Sequence, residues 1–358
     1  MPNFLVSAYL HVGTLVGHSD TINCLAYSPN GTYLASGGDD FVLIIWNALQ
    51  GRLLYRLVFG SAVDAVIWHP VHPDTVIVGC ADGTLQQVRN FSMQSEQHDI
   101  HLGARNTVHC LTYEATSGRL AIGMGEEVHV TRERMPNQYV GDTVLPPPPE
   151  SPDMDKLPDS ERRLRPVALQ FHDEGAALIV AYLAHGISCW DTSTTEQRWH
   201  IPMPSAKPNM SVLCSLISSL FYLTLHSSGG AAISPDGRNI AVYNLVDGLD
   251  IYGLVAQKRP KAKLTCKLES SMQTRHRLQV AYIHRGRGIV CGTTDGRICI
   301  WESATGELNQ QLPHDGDVIQ AVAATIHNRM SYIAAGSTER GQKTYIKLWR
   351  AKISESCL

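Results

Sequence analysis

The chain is organised around residues 17–57, which read GHSDTINCLAYSPNGTYLASGGDDFVLIIWNALQGRLLYRL. Short runs of alternating apolar and polar residues fill this stretch, and that alternation is typical of half-buried β-strands. The runs are separated by Pro29-Asn30-Gly31 and by Gly37-Gly38-Asp39-Asp40, where glycine and asparagine adopt positive φ at little cost. Residues 17–57 therefore predict a small antiparallel sheet.

Similar units follow along the chain, and each closes its third run on an apolar or aromatic residue. The closing residues are Trp46, Val88, Val130, Trp190, Tyr252, Trp301 and Trp349. Their spacings are 42, 42, 60, 62, 49 and 48 residues, so two gaps exceed the 42-residue period, by 18 and 20 residues. We interpret the chain as seven units with two insertions. Because a unit of this size cannot bury its sheet alone, the units must stack on one another.

The first insertion lies within residues 133–165 and contains four consecutive prolines, Pro146, Pro147, Pro148 and Pro149. Consecutive prolines favour an extended polyproline helix. Such a helix acts as a stiff spacer or docks into an aromatic groove of a partner, and the sequence leaves both roles open.

The second insertion, residues 205–228, contains a nearly uncharged segment that includes Leu220, Phe221 and Tyr222. The segment is too short to span a membrane as a helix. Three interpretations stay open: an added helix or strand pair, a partner-docking patch, or translated intron sequence. By register, both insertions connect the outermost strand of one unit to the innermost strand of the next. We therefore expect a partner-binding rim that flanks the fourth unit on one face.

The order of residues in the first unit resembles the WD-repeat (WD40-type) family of β-propellers. The shared marks are Gly17-His18, Ser28-Pro29-Asn30-Gly31, Leu34-Ala35-Ser36-Gly37, Asp40 and Trp46. Repeats of this family contain about 40 to 45 residues. The resemblance implies an all-β chain that forms one domain, a seven-bladed β-propeller of four-stranded antiparallel blades. A ring of blades leaves few free sheet edges.

The expected blades span residues 17–57, 60–95, 104–145, 165–204, 229–265, 272–312 and 314–350. Residues 8–16 precede the first unit and have the character of a strand, whereas residues 350–358 are short and polar. We therefore expect the N-terminal strand to complete the last blade and close the ring.

In WD repeats a buried hydrogen-bond chain links four side chains, and the resemblance places it on His18, Ser36, Asp40 and Trp46. Such a chain orders its blade because each buried polar group must find a partner. A serine, a histidine and an aspartate also fit a hydrolase, but in this fold the three are buried between strands. We expect the four residues to be structural, and we assign no catalytic, cofactor-binding or metal-binding residue.

The other units keep only parts of this hydrogen-bond chain. Val88 replaces the tryptophan in the second unit, Ala184 the aspartate in the fourth, and Cys291 the serine in the sixth. Ala335 and Lys343 replace the serine and the aspartate in the seventh. We expect these blades to rely more on apolar packing.

Composition limits the classes of partner. The net charge of -3 and the pI of about 6.6 give no basic excess, so we expect no nucleic-acid partner. The one basic cluster, residues 258–263, is interpreted as a solvated outer strand or loop, and the less favoured alternatives are a nuclear-import signal or a phosphate contact. The nine cysteines are scattered without metal-ligand spacing, and no secretory signal or membrane span is expected. These features indicate a reducing intracellular location, cytoplasm or nucleus. His69 and His72 are interpreted as loop residues.

The sequence favours a non-catalytic scaffold or adaptor that presents its loop faces to other proteins or peptides and uses no cofactor. One alternative is a substrate receptor of a ubiquitin ligase. Such receptors often carry Trp-Asp-x-Arg, whereas Trp190-Asp191 is followed by Thr192-Ser193. A propeller hydrolase is the less favoured alternative, because it needs carboxylates or histidines that converge on the central channel. The scaffold assignment rests on family analogy.

Overall fold

A computed structural model of the chain describes residues 7–91, 95–103, 105–150, 163–202, 230–244, 248–255, 258–268, 278–315, 318–338 and 344–353. Within these residues the chain forms 28 β-strands and a 3₁₀ turn, His284–Gly286. The strands assemble into seven antiparallel sheets of four strands each, which we call blades 1 to 7. The predicted all-β, seven-bladed propeller is confirmed.

Blades 1 to 6 are each built from four consecutive strands. Blade 1 contains β2 (Ile22–Tyr27), β3 (Tyr33–Gly38), β4 (Val42–Asn47) and β5 (Arg52–Val58). Blade 2 contains β6 (Val63–Trp68), β7 (Val76–Cys80), β8 (Leu85–Arg89) and β9 (Glu96–Asp99). Blade 3 contains β10 (Val108–Glu114), β11 (Arg119–Met124), β12 (Glu127–Met135) and β13 (Gln138–Val144).

The second half of the ring repeats this order. Blade 4 contains β14 (Pro166–His172), β15 (Ala177–Tyr182), β16 (Gly186–Asp191) and β17 (Gln197–Ile201). Blade 5 contains β18 (Gly230–Ile233), β19 (Asn239–Tyr243), β20 (Gly248–Val255) and β21 (Lys258–Lys267). Blade 6 contains β22 (Val280–Ile283), β23 (Gly288–Gly292), β24 (Arg297–Glu302) and β25 (Leu308–Pro313).

Blade 7 joins the two ends of the described chain. It contains β26 (Ile319–His327), β27 (Met330–Ser337) and β28 (Tyr345–Lys352), and its outermost strand is β1 (Leu10–Val16). Strand β1 runs antiparallel to β28, with Leu10 opposite Arg350 and Val16 opposite Tyr345. The N-terminal strand therefore supplies the fourth strand of the last blade.

The first strand of each blade is the innermost. These strands contact one another in a closed ring, in the order β2, β6, β10, β14, β18, β22, β26 and back to β2. Because neighbouring strands are antiparallel, each first and third strand of a blade begins, and each second and fourth strand ends, on one side of the ring, which we call the upper face. The opposite side is the lower face.

Glycines near the ends of the second strands allow neighbouring blades to approach closely. A Cβ atom on Gly37 would collide with Val63 of blade 2, and one on Gly336 would collide with Ile22 of blade 1. The equivalent glycines of blades 2, 3 and 6 meet the next inner strand in the same way: Gly79, Gly123 and Gly292. The glycine that follows Ala35-Ser36 in the first unit is therefore a packing requirement.

The core lies in the seams between blades. In six seams, one apolar cluster contains the closing residue of a blade together with a residue from the third strand of the preceding blade. These pairs are Trp46 with Leu348, Val88 with Ile45, Trp190 with Val130, Tyr252 with Cys189, Trp301 with Ile251, and Trp349 with Ile300. Their burial explains the long apolar runs of the third strands.

The strand register shows that one of the predicted closing residues was assigned incorrectly. Trp46 lies opposite Leu34, and Leu120 is the residue of blade 3 that corresponds to Leu34. Leu120 lies opposite Thr131, and Val130 lies opposite Ala121. The prediction that Val130 closes the third unit is therefore wrong by one residue, and Thr131 occupies the tryptophan position.

Two observed boundaries also differ from the predicted ones. The second unit was expected to end at residue 95, but its outer strand β9 is Glu96–Asp99. The first insertion was placed within residues 133–165, yet residues up to Val144 belong to β12 and β13. The connection between blades 3 and 4 therefore begins at Leu145.

Candidate interaction surface

The four polar residues of the first unit form one continuous hydrogen-bond chain. The indole N–H of Trp46 donates to Ser36 Oγ at 2.8 Å, and Ser36 Oγ lies 2.8 Å from His18 Nε2. His18 Nδ1 lies 3.0 Å from both carboxylate oxygens of Asp40. With Nδ1–H donating to Asp40, Nε2 accepts the single proton of Ser36. Each side chain thereby has a partner.

This hydrogen-bond chain is buried, so a substrate cannot reach it. Ser36 is fully buried, and His18 and Trp46 are nearly so. Burial opposes ionisation of Asp40, but hydrogen bonds from His18 and from the backbone N–H groups of Ser19 and Val42 outweigh it and lower the pKa of that carboxyl. The serine hydroxyl orders the blade and is not placed as a nucleophile.

In blades 6 and 7 the corresponding polar groups have other partners. His314 takes the position of His18 in blade 7, and its Nε2 lies 3.1 Å from the carbonyl oxygen of Ala335, which stands at the serine position. The indole N–H of Trp301 donates to the backbone oxygen of Lys267 in blade 5 at 3.3 Å. Position 343 lies outside the described residues.

His69 lies in the loop between β6 and β7, as the sequence predicted, but its side chain is not exposed to solvent. It is buried on the lower face, where its Nδ1 accepts the backbone N–H of His72 at 3.1 Å. Its Nε2 donates to Glu133 of blade 3 at 2.7 Å, and the Tyr113 hydroxyl donates to the same carboxylate at 2.6 Å. Burial opposes the charge, but hydrogen bonds from His69, Tyr113 and Asn137 lower the pKa of Glu133 to about 2. These contacts clamp blades 2 and 3 together.

The inner strands enclose a central channel of about 620 Å³. Polar side chains at its upper end form a collar: Asn23, Asp64, His109, Arg165, Gln279 and Gln320. Gln320 Nε2 donates to Asn23 Oδ1 at 3.0 Å, and Asn23 Nδ2 donates to Asp39 Oδ1 at 2.7 Å. The collar is therefore held by hydrogen bonds from blade 7 to blade 1.

A repeated irregularity produces this collar. The pairing of the first two strands shifts at Asn23, Asp64, His109 and Gln320, each of which follows the first residue of its strand. An extra residue of this kind is a β-bulge, and it redirects a side chain that regular pairing would place elsewhere. The sequence interpretation did not include these residues, although a polar residue after the first apolar residue of the strand is a visible signal in these four units.

The proline segment lies on the upper face between blades 3 and 4. The N–H of Leu145 donates to the carbonyl oxygen of Val128 at 2.9 Å, and both Leu145 and Pro148 are buried. The side chains of the other three prolines are exposed: Pro146, Pro147 and Pro149. The segment is thus anchored to the ring and presents three prolines to solvent.

The end of this segment approaches blade 4. Burial lowers the pKa of His185, in the upper turn of that blade, and the charges of Glu150 and Glu126 partly offset the effect. The strand that follows Ile201 of blade 4 begins at Gly230 of blade 5. Leu220, Phe221 and Tyr222 of the expected rim lie outside the described residues.

The described residues contain no group of three or more histidines, cysteines, aspartates or glutamates placed to hold a metal ion. In the same part of the chain, seven cysteines are free thiols. No helix there has the length and apolar character needed to cross a membrane.

Short segments of the chain are similar to curated proteins. A 57-residue segment is 44% identical to "Small ribosomal subunit protein RACK1" of Medicago sativa and covers 16% of this chain and 18% of the relative. A 65-residue segment is 38% identical to "Ribosome biogenesis protein BOP1" of Mus musculus and covers 18% of this chain and 9% of the relative. The chain thus matches less than a fifth of the length of these relatives.

The whole ring is similar to a solved structure, that of the Cps50 (Swd1) β-propeller domain of Myceliophteria thermophila. The TM-score is 0.68 at 15% sequence identity, and the match covers 96% of this chain and 99% of that chain. At this identity the likeness establishes the fold alone. The family model described as "WD domain, G-beta repeat" matches residues 10–47. That match spans strand β1 of blade 7 and strands β2 to β4 of blade 1, so the chain contains a WD repeat within a ring of seven four-stranded blades.

Proposed function

We propose that this protein is a non-catalytic scaffold that binds other proteins or peptides through its upper face, around blade 4. The observation that carries the proposal is the anchored proline segment. Its buried residues fix it to the ring, while Pro146, Pro147 and Pro149 stay exposed. A fixed polyproline segment costs little ordering entropy on binding, so an aromatic groove of a partner can dock on it.

The channel collar extends this surface towards the centre of the upper face. It offers Asp64, His109 and Arg165, together with the amides of Asn23 and Gln320, to an incoming chain. A peptide that lies across the upper face would reach the collar and the proline segment together. We infer an intracellular location for this activity, in agreement with the free thiols of the described cysteines.

The test is affinity purification with quantitative mass spectrometry from cells that express tagged variants. The triple variant Pro146→Ala, Pro147→Ala, Pro149→Ala keeps the buried Pro148 and should lose specific partners. The matched control, Val71→Ala with Ile326→Ala, removes exposed apolar side chains from the lower half of the ring and should keep them. An unchanged partner list for the triple variant would argue against the proposed surface.

A further inference from the structure

The seam between blades 2 and 3 differs from the six seams described above. By register, the pair at its centre is Thr131 of blade 3 and Gln87 of blade 2. The apolar cluster of this seam includes neither residue. We call the group formed by Gln87, Arg89, His98, Thr131 and Tyr139 the polar seam.

Strand pairing places these side chains on the facing surfaces of the two blades. Gln87 lies opposite Ile77 on one side and His98 on the other, and residues directly opposite in a sheet share a face. Ile77 packs in the cluster shared with blade 3, and Tyr139 packs against that cluster from blade 3. Arg89, two residues beyond Gln87, donates across the seam to Asn137 Oδ1 at 3.4 Å.

The polar seam contains buried hydrogen-bonding atoms without partners. Gln87 is fully buried, and within the described part of the chain neither its Oε1 nor its Nε2 has a hydrogen-bond partner. The Tyr139 hydroxyl and Arg89 Nε are also buried without a hydrogen-bond partner. Each such group has lost its hydrogen bonds to water without replacement, which is unfavourable, and native proteins contain few of them. Their concentration in one seam points to a ligand that completes their hydrogen bonds.

The local shape and charge limit the class of ligand. Thr131 is much smaller than the indole that fills its position in blades 1, 4, 6 and 7. Both oxygens of the nearby Glu133 carboxylate already accept hydrogen bonds. Glu96 lies opposite Arg89, and its negative charge opposes a carboxylate ligand. A neutral group that both donates and accepts matches the carboxamide of Gln87.

We propose that the polar seam binds a neutral amide group, which pairs with the carboxamide of Gln87. The Tyr139 hydroxyl and Arg89 Nε add hydrogen bonds from the two sides of the seam. Entry is from the outer rim of the ring, where the side chain of His98 is 40% exposed. The amide comes either from a small molecule or from an asparagine or glutamine side chain of a partner protein.

The experiment is an NMR titration of the intact protein that follows the side-chain amide resonances of Gln87. The probes are acetamide, N-acetylglutaminamide and nicotinamide at millimolar concentration. Binding should shift these resonances in a saturable way. A response to N-acetylglutaminamide alone assigns the site to a partner side chain, and a response to nicotinamide alone assigns it to a small planar ligand.

Variants separate binding from structure. Gln87→Leu should abolish all probe-dependent shifts in the backbone resonances of β8 and, without probe, should raise the melting temperature by about 1–2 °C because unpaired polar atoms are removed. Tyr139→Phe should weaken probe binding several-fold. The control is Gln86→Leu. Gln86 lies opposite Val78, on the face turned towards blade 1, and its Nε2 donates to Asp99 at 2.8 Å, while its Oε1 has no partner within the described residues. This variant should bind probes like the wild type.

Two results would overturn the proposal. One is the absence of any saturable shift with all three probes in the wild-type protein, a measurement that needs no variant to fold. The other is a lower melting temperature for Gln87→Leu, because it would mean that Gln87 makes stabilising hydrogen bonds within the protein.

Discussion

Trp46 is the residue on which blade 1 depends most. Its ring is 2% exposed in the seam with blade 7, and its N–H begins the chain that passes through Ser36 to His18 and Asp40. We expect Trp46→Ala to lower the free energy of unfolding by about 3–5 kcal/mol, through the cavity and the lost donor to Ser36. Urea unfolding measures this loss. A value under about 1 kcal/mol would remove Trp46 from the core.

Glu133 gives the lower face a defined pH dependence. Its pKa of about 2 lies below the usual value of 4.5, so its ionised form stabilises the fold fully above pH 4.5. That contribution, about 2 kcal/mol, is lost as the pH falls through 4.5 towards 2. We expect the wild type to lose more stability than Glu133→Gln between pH 5 and pH 3, as measured by urea unfolding. Parallel stability curves for the two proteins would contradict this account.

The sequence identified only part of the residue-scale chemistry. His18, Ser36, Asp40 and Trp46 lie within one unit at characteristic spacing, so a local pattern was enough to place them. His69 pairs with Glu133 from another blade, and nothing within either unit marks the other as a partner. Contacts that form only when blades stack cannot be predicted from the pattern of one blade.

At the scale of the strand, the glycines that end the second strands set the distance between blades. Gly37→Ala would place a methyl group against Val63 of the next inner strand. We expect it to lower the free energy of unfolding by about 1–3 kcal/mol, because a packed seam must open to accommodate it. Gly13→Ala in β1 is the control, since no atom lies within 4 Å of its Cβ position. Equal effects of the two variants would argue against a packing role.

Strand positions were predicted correctly where the sequence contains clear turn motifs, and incorrectly where such motifs are missing. The strands of blade 1 lie where the alternating runs and the two turn sequences placed them. In blade 3, no aromatic residue marks the end of the third run. The choice between Val130 and Thr131 therefore depended on register, which only the pairing with β11 reveals. A shift of one residue moves a side chain to the opposite seam.

At the scale of the whole molecule, the ring is closed by strand β1. Tyr9 precedes this strand, and its hydroxyl lies 3.0 Å from His284 Nε2 in blade 6 and 2.7 Å from Ser331 Oγ in blade 7. Deleting residues 1–16 should lower the melting temperature and promote aggregation, because the edge of β28 becomes exposed. Calorimetry and light scattering measure both effects. A truncated protein that melts like the full chain would contradict closure by this strand.

The central claim is that partners bind the upper face around blade 4, and site-specific photo-cross-linking tests it most directly. A photo-reactive amino acid is placed at position 147, in the exposed proline segment, or at position 71, on the lower face, and cross-linked proteins are identified from cells by mass spectrometry. We predict specific partner cross-links from position 147 and only background from position 71. Specific cross-links from position 71 together with none from position 147 would contradict the account.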